Sequence, residues 1–374
     1  MRIEKIELFH IKMPLKFQFK TSQTIVRNRE TIIIKASDEF GNIGYGEVVA
    51  FNEPFYTNET LSKSKQALIY KYIPKIINKN VKHPFDIHKW FDLSYPMALA
   101  GLENALLDLY ARRYKQSVMD IAFNEETNDE IYAGIALGDQ DVSNLKKQIE
   151  IYLEEGYTRF KIKIKPEDGF IKLKSIRQDY PDIRLLADAN KSYKIEQIEE
   201  LMKFDQLNLL CLEEPLDSLN FQVYQKLQKK MHTSICLDES IQTVDDLKTA
   251  ISLKSLKAMN IKAGRVGGIY YARKMIELCR ENNIKYWIGS MVESGVSKIL
   301  HVHLASLKDT YIPGDLSSSK RYFEKDIIEP DITVENGIIK VPKGFGLGVK
   351  TDENLLKSYT IDYIRMGDEN YEFN

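Results

Sequence analysis

From about residue 130 onward, short apolar segments alternate with amphipathic stretches, and this repeat restricts the fold more than any other feature of the chain. The eight segments are IYAGIALG, RFKIKIK, IRLLADA, LLCLEEP, SICLDES, AMNIKAG, KYWIGSM and YIPGDL. The stretches between them, such as IQTVDDLKTAISL and YYARKMIELCREN, have the periodicity of crossover helices. Repeated strand–helix units predict a parallel sheet, and eight of them predict a closed barrel of the α/β class.

The residues before this repeat have a different pattern. Two strand-like segments and the sequence DEFGNIGYGEVVA, with Gly41-Asn42 as a hairpin turn, predict a small antiparallel sheet. Helical periodicity follows, and it is clearest in PMALAGLENALLDLYARRYK. We therefore predict an α+β unit over residues 1–125, a barrel over 126–320, and a C-terminal segment over 321–374 that packs back on the first unit.

Composition and charge exclude several classes of protein. The chain has 374 residues and a formal net charge of -1, so nothing indicates nucleic acid or an anionic membrane as a partner. No apolar run approaches the roughly 20 residues that span a bilayer, and the N-terminus has the alternation of a strand rather than of a signal peptide. The three cysteines, Cys211, Cys236 and Cys279, lack metal-ligand or disulfide-framework spacing. We expect a cytoplasmic protein.

Charged residues recur at one phase of the repeat. Lys163, Asp188, Glu213 and Asp238 follow one another at intervals of 25 residues, and Lys262 comes 24 residues later. Each lies near the end of an apolar segment. Since the carboxyl ends of barrel strands converge on one mouth, we expect these five side chains to meet there.

Each of these residues has an ordinary structural explanation when taken alone. Asp188 and Asp238 would suit helix caps, Glu213 a solvated strand end, and Lys262 the surface. Five such coincidences in phase are improbable. Three carboxylates on adjacent strands instead form a hard oxygen site suited to Mg²⁺, with Mn²⁺ as the alternative, and we expect no organic cofactor. A metal flanked by lysines suits removal of a proton next to a carboxylate, from a small carboxylate substrate.

Three lysines alternate with apolar residues in FKIKIKP, at positions 161, 163 and 165. A lysine must be neutral to act as a base, and its ordinary pKa is about 10.4. Lys161 and Lys163 would lie about 6.6 Å apart on one strand face. At an effective dielectric constant of about 20 their repulsion is about 2.5 kcal/mol, which would lower one pKa by nearly 2. Because there are three lysines, the functional pair is either Lys161/Lys163 or Lys163/Lys165. The 25-residue interval favours the first pair, and so does Pro166, because Lys165 directly before it would lie beyond the end of the strand.

These motifs resemble the enolase superfamily, in its muconate-lactonizing-enzyme-like branch, over essentially the whole chain. The resemblance lies in KIK, DAN, EEP, DES and NIKAGRVGG on successive segments. Within the branch, SMVESG, PGDLSSSKRYFEKDIIEP and PKGFGLGV look like the o-succinylbenzoate synthase / N-succinylamino acid racemase subfamily. The resemblance implies an enolase-type (β/α)8 barrel with an N-terminal α+β capping domain completed by the C-terminal segment, and a homo-oligomer.

Residue roles follow from the resemblance. It implies Asp188, Glu213 and Asp238 as metal ligands, Lys163 as the base on one face, Lys262 as the acid/base on the other, and Lys161 as the group that tunes Lys163. Asn190 and Glu239 would orient the ligands, and Arg265 would tune Lys262. Substrate contacts are expected from Phe19, Thr21, Ser22, Phe51, Tyr56, Ser290 and Glu293. Ser290 stands where relatives often have glycine, which would narrow the pocket. The glycines 264, 267 and 268 are expected to form a packing turn rather than a phosphate site.

The activity implied by the resemblance is Mg²⁺-dependent dehydration of 2-succinyl-6-hydroxy-2,4-cyclohexadiene-1-carboxylate to 2-succinylbenzoate in menaquinone synthesis. N-acylamino acid racemisation would share the site, and it is the alternative physiological role. Dipeptide epimerisation and muconate cycloisomerisation are further alternatives. From other classes, a Schiff-base lyase would need no metal site, and a non-catalytic barrel that acts as a binding module would have no reason to keep five charged groups in phase.

Overall fold

The computed structural model describes residues 1–20, 25–367 and 372–373, with the side chains of residues 1–17 and 27–367. The chain begins with three antiparallel strands, β1 Ile3–Lys20, β2 Ile25–Asp38 and β3 Ile43–Val48. The predicted turn joins β2 to β3. Asp38 stabilises it by accepting hydrogen bonds from the backbone N–H groups of Phe40 and Asn42, both at 2.9 Å.

Helices cover one face of this sheet, as the helical periodicity after the N-terminal strand segments predicted. They are α1 Leu61–Ala67, α2 Ile73–Ile76, α3 Pro96–Arg113 and α4 Val118–Ala122, with a π-helical turn at Leu68–Tyr72 and a 3₁₀ turn at Pro84–Lys89. The buried carboxylate of Glu59 accepts hydrogen bonds from the N–H groups of Met97 and Ala98 at 2.8 and 2.9 Å, which fixes the start of α3.

A short strand, β4 Glu130–Tyr132, leads into a parallel sheet of seven strands whose spatial order follows the chain. The seven are β5 Gly134–Leu137, β6 Arg159–Lys163, β7 Arg184–Asp188, β8 Leu212–Glu213, β9 Ile235–Leu237, β10 Ala258–Ile261 and β11 Lys285–Ile288. The crossover helices lie between successive strands, which agrees with the predicted α/β class. They are α5 Val142–Glu154, α6 Gly169–Asp179, α7 Ile198–Leu201, α8 Phe221–Lys230, α9 Val244–Ser252, α10 Ala263–Val266, α11 Ile269–Glu281 and α12 Gly295–Ala305.

The eighth apolar segment, residues 311–316, closes the sheet without forming a regular strand. The N–H groups of Tyr311 and Asp315 donate to carbonyls of β11 at 2.8 and 3.0 Å, and the N–H of Gly134 in β5 donates to the carbonyl of Leu316 at 3.1 Å. Pro313 has no N–H to donate, so a continuous ladder cannot form there. The segment therefore bridges the two edge strands with a few hydrogen bonds instead of a full ladder.

The remainder of the chain returns to both parts of the molecule. It contains β12 Ile328–Glu329, β13 Ile338–Lys340, β14 Lys350–Thr351, α13 Glu353–Tyr359, β15 Thr360–Gly367 and β16 Glu372–Phe373. The strand β13 pairs with β4 beside the barrel, whereas β15 pairs with β1 and completes a five-stranded sheet in the order β16-β15-β1-β2-β3.

Two buried carboxylates of the N-terminal part hold helices of the barrel. Glu47 of β3 accepts hydrogen bonds from Ser294 and from the N–H of Ser297 at the start of α12. Glu103 of α3 accepts from the N–H of Ile269 at 2.6 Å, at the start of α11. Because a carboxylate already occupies the N-terminus of α11, the preceding glycine loop is a packing turn, as predicted. A Cβ added at Gly268 would lie 2.6 Å from Glu103.

In the part of the chain that the structure describes, no helix is both long enough and apolar enough to cross a membrane. The three cysteines are free and buried.

Candidate active site

The carboxyl ends of the barrel strands surround a cavity of about 490 Å³. The predicted site residues that line it are Lys161, Lys163, Asp188, Asn190, Glu239, Lys262, Ser290, Phe51 and Tyr56. Phe51 and Tyr56 come from the segment after β3, so the N-terminal part of the chain forms one wall of a cavity whose floor belongs to the barrel. Phe19, Thr21 and Ser22 lie outside the residues whose side chains the structure describes.

Lys161 is fixed at the floor of the cavity. On β6, Phe160 and Ile162 are buried in the main hydrophobic core, so the intervening lysines point to the opposite face. The Lys161 ammonium donates to both oxygens of Glu213 at 2.9 Å and to Asp315 at 3.0 Å, and it lies 3.2 Å from Asp188. Burial by itself would lower the pKa of Lys161, but these carboxylates raise it well above its ordinary value. Lys161 is therefore a permanent cation.

Lys163 has looser surroundings. Its side chain is 23% exposed, and its ammonium lies 3.3 Å from the same Asp188 oxygen that Lys161 approaches. It also donates a hydrogen bond to the side-chain oxygen of Asn190. Lys165, in contrast, pairs with Asp139 at 2.9 Å, and neither residue is among those that line the cavity. The structure thus places Lys161 and Lys163 at the cavity and Lys165 outside it.

The three predicted metal ligands lie at the ends of neighbouring strands and are buried. Asp188 and Glu213 are direct partners in the β7–β8 register. Glu213 also accepts a hydrogen bond of 2.8 Å from the side chain of Asn260. Asp238 pairs with Lys262 at 2.6 Å and with Arg265. In this structure, cationic side chains therefore pair with the carboxylates. The described residues include no group of three His, Cys, Asp or Glu side chains arranged around a common metal position.

The chemistry of this donor set nevertheless fits a divalent cation. Burial raises the pKa of Glu213 to about 8, and repulsion from Asp188 and Asp238 adds to the effect although Lys161 opposes it. Burial would also raise the pKa values of Asp188 and Asp238, but Lys161 beside Asp188 and Arg265 beside Asp238 lower them, so both are ionised oxygen donors. Oxygen donors without His or Cys suit a divalent cation such as Mg²⁺.

Lys262, on the other side of the carboxylates, is held by a residue from the N-terminal part. Its ammonium donates to the hydroxyl of Tyr56 at 2.9 Å, and Arg265 donates to the same oxygen at 2.7 Å. Burial raises the pKa of Tyr56 to about 12, so the phenol stays neutral. Burial would lower the pKa of Lys262, but Asp238 and Tyr56 raise it well above its ordinary value. Lys262 is therefore protonated in this environment.

Asn190 links the groups on one side of the site. Its N–H donates to Asp188 at 3.1 Å and its side-chain amide donates to Glu239 at 3.0 Å, while its oxygen accepts from Lys163. Burial raises the pKa of Glu239 to about 7, and repulsion from Asp238 adds to this. The amide therefore orients one carboxylate and one ammonium together, neither of which is a predicted metal ligand, and the role of Asn190 in orienting the ligands stays a prediction.

Ser290 and Glu293 differ in their placement. Ser290 lines the cavity and donates from its hydroxyl to Glu293 at 2.9 Å. Glu293 has no exposed surface and also contacts the ring of His301 at 3.0 Å. Burial would raise the pKa of Glu293, but His301 and Lys298 lower it to about 2. Glu293 thus supports the loop from behind, and substrate contact by Glu293 stays a prediction.

Several residues of the site were not predicted. Asp315 accepts hydrogen bonds from both Lys161 and Arg159, the latter at 2.5 Å, and it lies near the end of the eighth apolar segment. That position was a usable signal, because charged residues end five other segments. Asn260 and Tyr322 follow no comparable pattern.

Arg29 was also missed. It is 1% exposed and donates to the carbonyls of Val49 and Ala50, just before Phe51, and to that of Val292, in the cavity wall.

Comparison with known proteins agrees with this geometry. Residues 144–355 match the family model described as enolase C-terminal domain-like. This chain belongs to the enolase superfamily. Its predicted membership and enolase-type α/β fold are thereby confirmed. Members of this superfamily characteristically bind a divalent metal ion, typically Mg²⁺. A superfamily member from Listeria innocua has a solved structure with a TM-score of 0.94 and 35% identity, covering 98% of this chain and 99% of that one.

Relatives within the superfamily are named as enzymes, which confirms the prediction of an enzyme. The o-succinylbenzoate synthase of Bacillus subtilis is 41% identical over 96% of both chains. The N-succinylamino acid racemase of Thermus thermophilus is 34% identical over 93% of this chain and 95% of its own. Muconate lactonizing enzyme from Pseudomonas putida, at 18% identity and a TM-score of 0.88, shares the fold.

Proposed function

We propose that this protein is an o-succinylbenzoate synthase. The observation that carries the proposal is the presence of Lys163 and Lys262 in one cavity, each beside a different carboxylate of the same buried cluster. Two ammonium groups placed in this way can reach a carboxylate substrate from different sides. The relatives with this printed name, at 36 to 41% identity over nearly the full chain, support the choice of reaction.

The residues of the chain divide the dehydration between them. Lys163, in its neutral form, takes the proton from the carbon next to the substrate carboxylate, and the electron pair of that C–H bond moves into the carboxylate. Lys262 stays protonated and stabilises the negative charge that develops. The C–O bond to the hydroxyl group then breaks, and Lys163 returns its proton so that water leaves. Lys161 stays a cation among its carboxylates, and the part proposed for it is to tune Lys163 from the same strand face.

Asp188, Glu213 and Asp238 would hold the metal ion. When bound, Mg²⁺ supplies electrostatic stabilisation of the substrate carboxylate as its charge increases. Asn190 and Arg265 keep two of these carboxylates oriented through their hydrogen bonds. Mn²⁺ would suit the same oxygen donors.

Racemisation of N-succinylamino acids is the second candidate function. It is favoured by the two lysines, because one base would remove the α-proton from one face and the other acid would return a proton to the opposite face. The racemase from Thermus thermophilus supports this candidate. Dipeptide epimerisation and muconate cycloisomerisation would use the same groups, but the relatives from Bacillus subtilis and Thermus thermophilus carry other names.

The test is a direct comparison of kcat/KM for the two reactions with Mg²⁺ present. A value of about 10⁴ M⁻¹s⁻¹ or more for dehydration of the cyclohexadiene acid, abolished by EDTA and restored by Mg²⁺, supports the synthase. Negligible dehydration with efficient racemisation of N-succinylamino acids would assign the second function instead. Inactivation by borohydride in the presence of substrate would indicate a Schiff-base lyase, and inactivity in all assays would leave a binding module.

We further propose that the enzyme acts in the cytoplasm as a homo-oligomer on a small carboxylate, without nucleic acid or membrane partners. The free, buried cysteines are compatible with a reducing compartment. Light scattering after size-exclusion chromatography would measure the oligomeric state.

A further inference from the structure

Lys191 lines the active-site cavity three residues beyond the end of strand β7 and next to Asn190. Both residues have left-handed backbones, with φ values of 61° for Lys191 and 42° for Asn190. A left-handed conformation is unusual for lysine, so neighbouring groups must hold it. The Lys191 N–H donates to the carbonyl of Glu214 at 2.7 Å, and the Ser192 N–H donates to the carbonyl of Ala189 at 2.9 Å. The backbone therefore fixes where the Lys191 side chain begins.

The charge environment of Lys191 differs from that of the other cations around it. Lys161, Lys163 and Lys262 each pair with at least one buried carboxylate. Lys191 lines the same cavity, but within residues 1–20, 25–367 and 372–373 its ammonium has no hydrogen bond and no ion pair within 4.0 Å. Burial raises the pKa of Glu214 and the charge of Lys191 opposes this, so the ammonium acts on that buried carboxylate only from a greater distance. Its side chain is half-buried, so part of its surface has already been removed from water. A cation in that position gains stabilisation when an anionic group of a ligand reaches it.

The other residues of the cavity wall suit a ligand that extends away from the floor. At the floor, Lys161, Lys163 and Lys262 already pair with carboxylates and are assigned to the first carboxylate of the substrate. Phe55, Met291 and Val292 contribute apolar surface suited to a carbon chain. An exposed carboxylate, Asp217, also belongs to the wall, and it would weaken the attraction of an anion. The role of Lys191 therefore has to be tested against that of Asp217.

We propose that Lys191 binds the distal carboxylate of a dicarboxylate substrate. This assignment rests on the proposed function, in which the substrate carries one carboxylate next to the reacting carbon and another at the end of a succinyl group. Lys191 would be the charged contact for that second carboxylate, and it would make the site selective for succinyl over uncharged acyl groups. The same contact would serve dehydration and racemisation, because both substrates end in a succinyl group.

The test compares two ligands by isothermal titration calorimetry with the Mg²⁺-loaded protein. One ligand is 2-succinylbenzoate, and the other is its analogue with a terminal amide in place of the distal carboxylate. The wild-type protein should prefer the acid by about 10- to 100-fold, as is typical of one charge-assisted hydrogen bond. In Lys191→Gln the preference should fall to about threefold or less, and in Lys191→Arg it should largely remain.

Two further variants serve as matched controls. Lys165→Gln removes a lysine that pairs with Asp139 outside the cavity, so the preference for the acid should not change. Asp217→Asn should keep or increase that preference. Binding of the amide ligand by Lys191→Gln, within about threefold of the wild-type dissociation constant, shows that the variant is folded.

Different results overturn the two proposals. A wild-type preference that persists in Lys191→Gln, or the absence of any preference in the wild type, would overturn the role of Lys191 while leaving the synthase assignment intact. If neither ligand binds to the wild-type protein, the proposed function fails, and the proposal for Lys191 fails with it.

Discussion

Lys161 and Lys163 lie two positions apart on one strand face, and their surroundings give them different chemistry. Lys161 contacts three carboxylates and is almost fully buried, whereas Lys163 has one carboxylate and one amide as partners. Burial would lower the pKa of Lys161, but its carboxylates raise it well above its ordinary value, so Lys161 is not available as a base. The Lys163 side chain, in contrast, is 23% exposed and lines the cavity. The geometry therefore favours Lys163 as the base for a reason beyond sequence spacing.

The first prediction concerns that base. Lys163→Ala should lower kcat for dehydration by at least about 10²- to 10⁴-fold, the usual contribution of a general base. Lys165→Ala is the control and should keep nearly wild-type kcat, because Lys165 pairs with Asp139 outside the cavity. Steady-state kinetics measures both. An active Lys163→Ala together with an inactive Lys165→Ala would assign the base to the other register.

A second prediction concerns the metal. Asp238→Asn removes a charge from the carboxylate cluster, so Mg²⁺ affinity measured by calorimetry should fall by about tenfold or more. Asp217→Asn is the matched control, because Asp217 lies in the exposed wall and not in the cluster. Equal Mg²⁺ affinity of Asp238→Asn and the wild type would remove Asp238 from the set of ligands.

At the scale of elements, the barrel and the N-terminal sheet are joined by carboxylates that act as helix caps. The Glu47 carboxylate accepts three hydrogen bonds. The donors are the N–H of Ser294 at 3.0 Å, the hydroxyl of Ser294 at 2.7 Å and the N–H of Ser297 at 3.0 Å. The first N–H groups of a helix have no partners within the helix, so an acid from another element can satisfy them. The helix held in this way, α12, begins directly after the loop that contains Ser290 and Met291.

Glu47→Ala should therefore lower the free energy of unfolding by about 2–4 kcal/mol, because it leaves buried donors without acceptors. Urea unfolding at pH 8 measures the change; burial raises the pKa of Glu47 to about 7, so the carboxylate is ionised there. Glu324→Ala is the control. That side chain is 83% exposed and its ion pair with Lys16 is 3.8 Å long. Its removal should therefore change the free energy of unfolding by no more than about 0.5 kcal/mol. An equally small decrease in the free energy of unfolding for Glu47→Ala would contradict the role of Glu47 as a helix cap.

For the whole molecule, the position of the C-terminal segment gives a pH-dependent stability. His303 of α12 is buried, and its Nε2–H donates to the carbonyl of Leu347 at 2.9 Å. Burial lowers the pKa of His303 below 6.5, although the hydrogen bond to Leu347 opposes this. The unfolded chain thus binds a proton at higher pH than the folded chain does. Stability from the neutral ring is complete above pH 6.5 and is lost as the pH falls through the folded pKa.

His303→Gln keeps a donor and cannot titrate. The difference in unfolding free energy between the wild type and this variant should shrink as the pH falls below 6.5, with a slope of at most about 1.4 kcal/mol per pH unit. Thermal or urea unfolding at several pH values measures it. Parallel pH curves for the two proteins would show that His303 does not titrate differently on folding.

The division of the chain at residues 125 and 320 stays a proposal at this scale. Limited proteolysis would test it, because cleavage near those positions should release fragments that match the three parts.

The sequence by itself determined the repeat of the barrel and the phase of its charges. Strand alternation, helical period and the 25-residue interval are local properties, so Lys163, Asp188, Glu213 and Asp238 could be placed at strand ends before any contact was known. Composition and turn chemistry likewise predicted the antiparallel sheet at the N-terminus. The local pattern was less informative for the eighth segment, where Pro313 interrupts the ladder.

Tertiary structure decided which charges pair with which partners. Lys161 meets Asp315 across 154 positions, Lys262 meets Tyr56 across 206, and Ser294 meets Glu47 across 247. No periodic signal encodes such contacts, because they depend on how the sheet closes and on how the N-terminal part sits over the barrel mouth. The same closure buries the carboxylates and changes their pKa values, since both burial and repulsion depend on distances that only the folded chain defines.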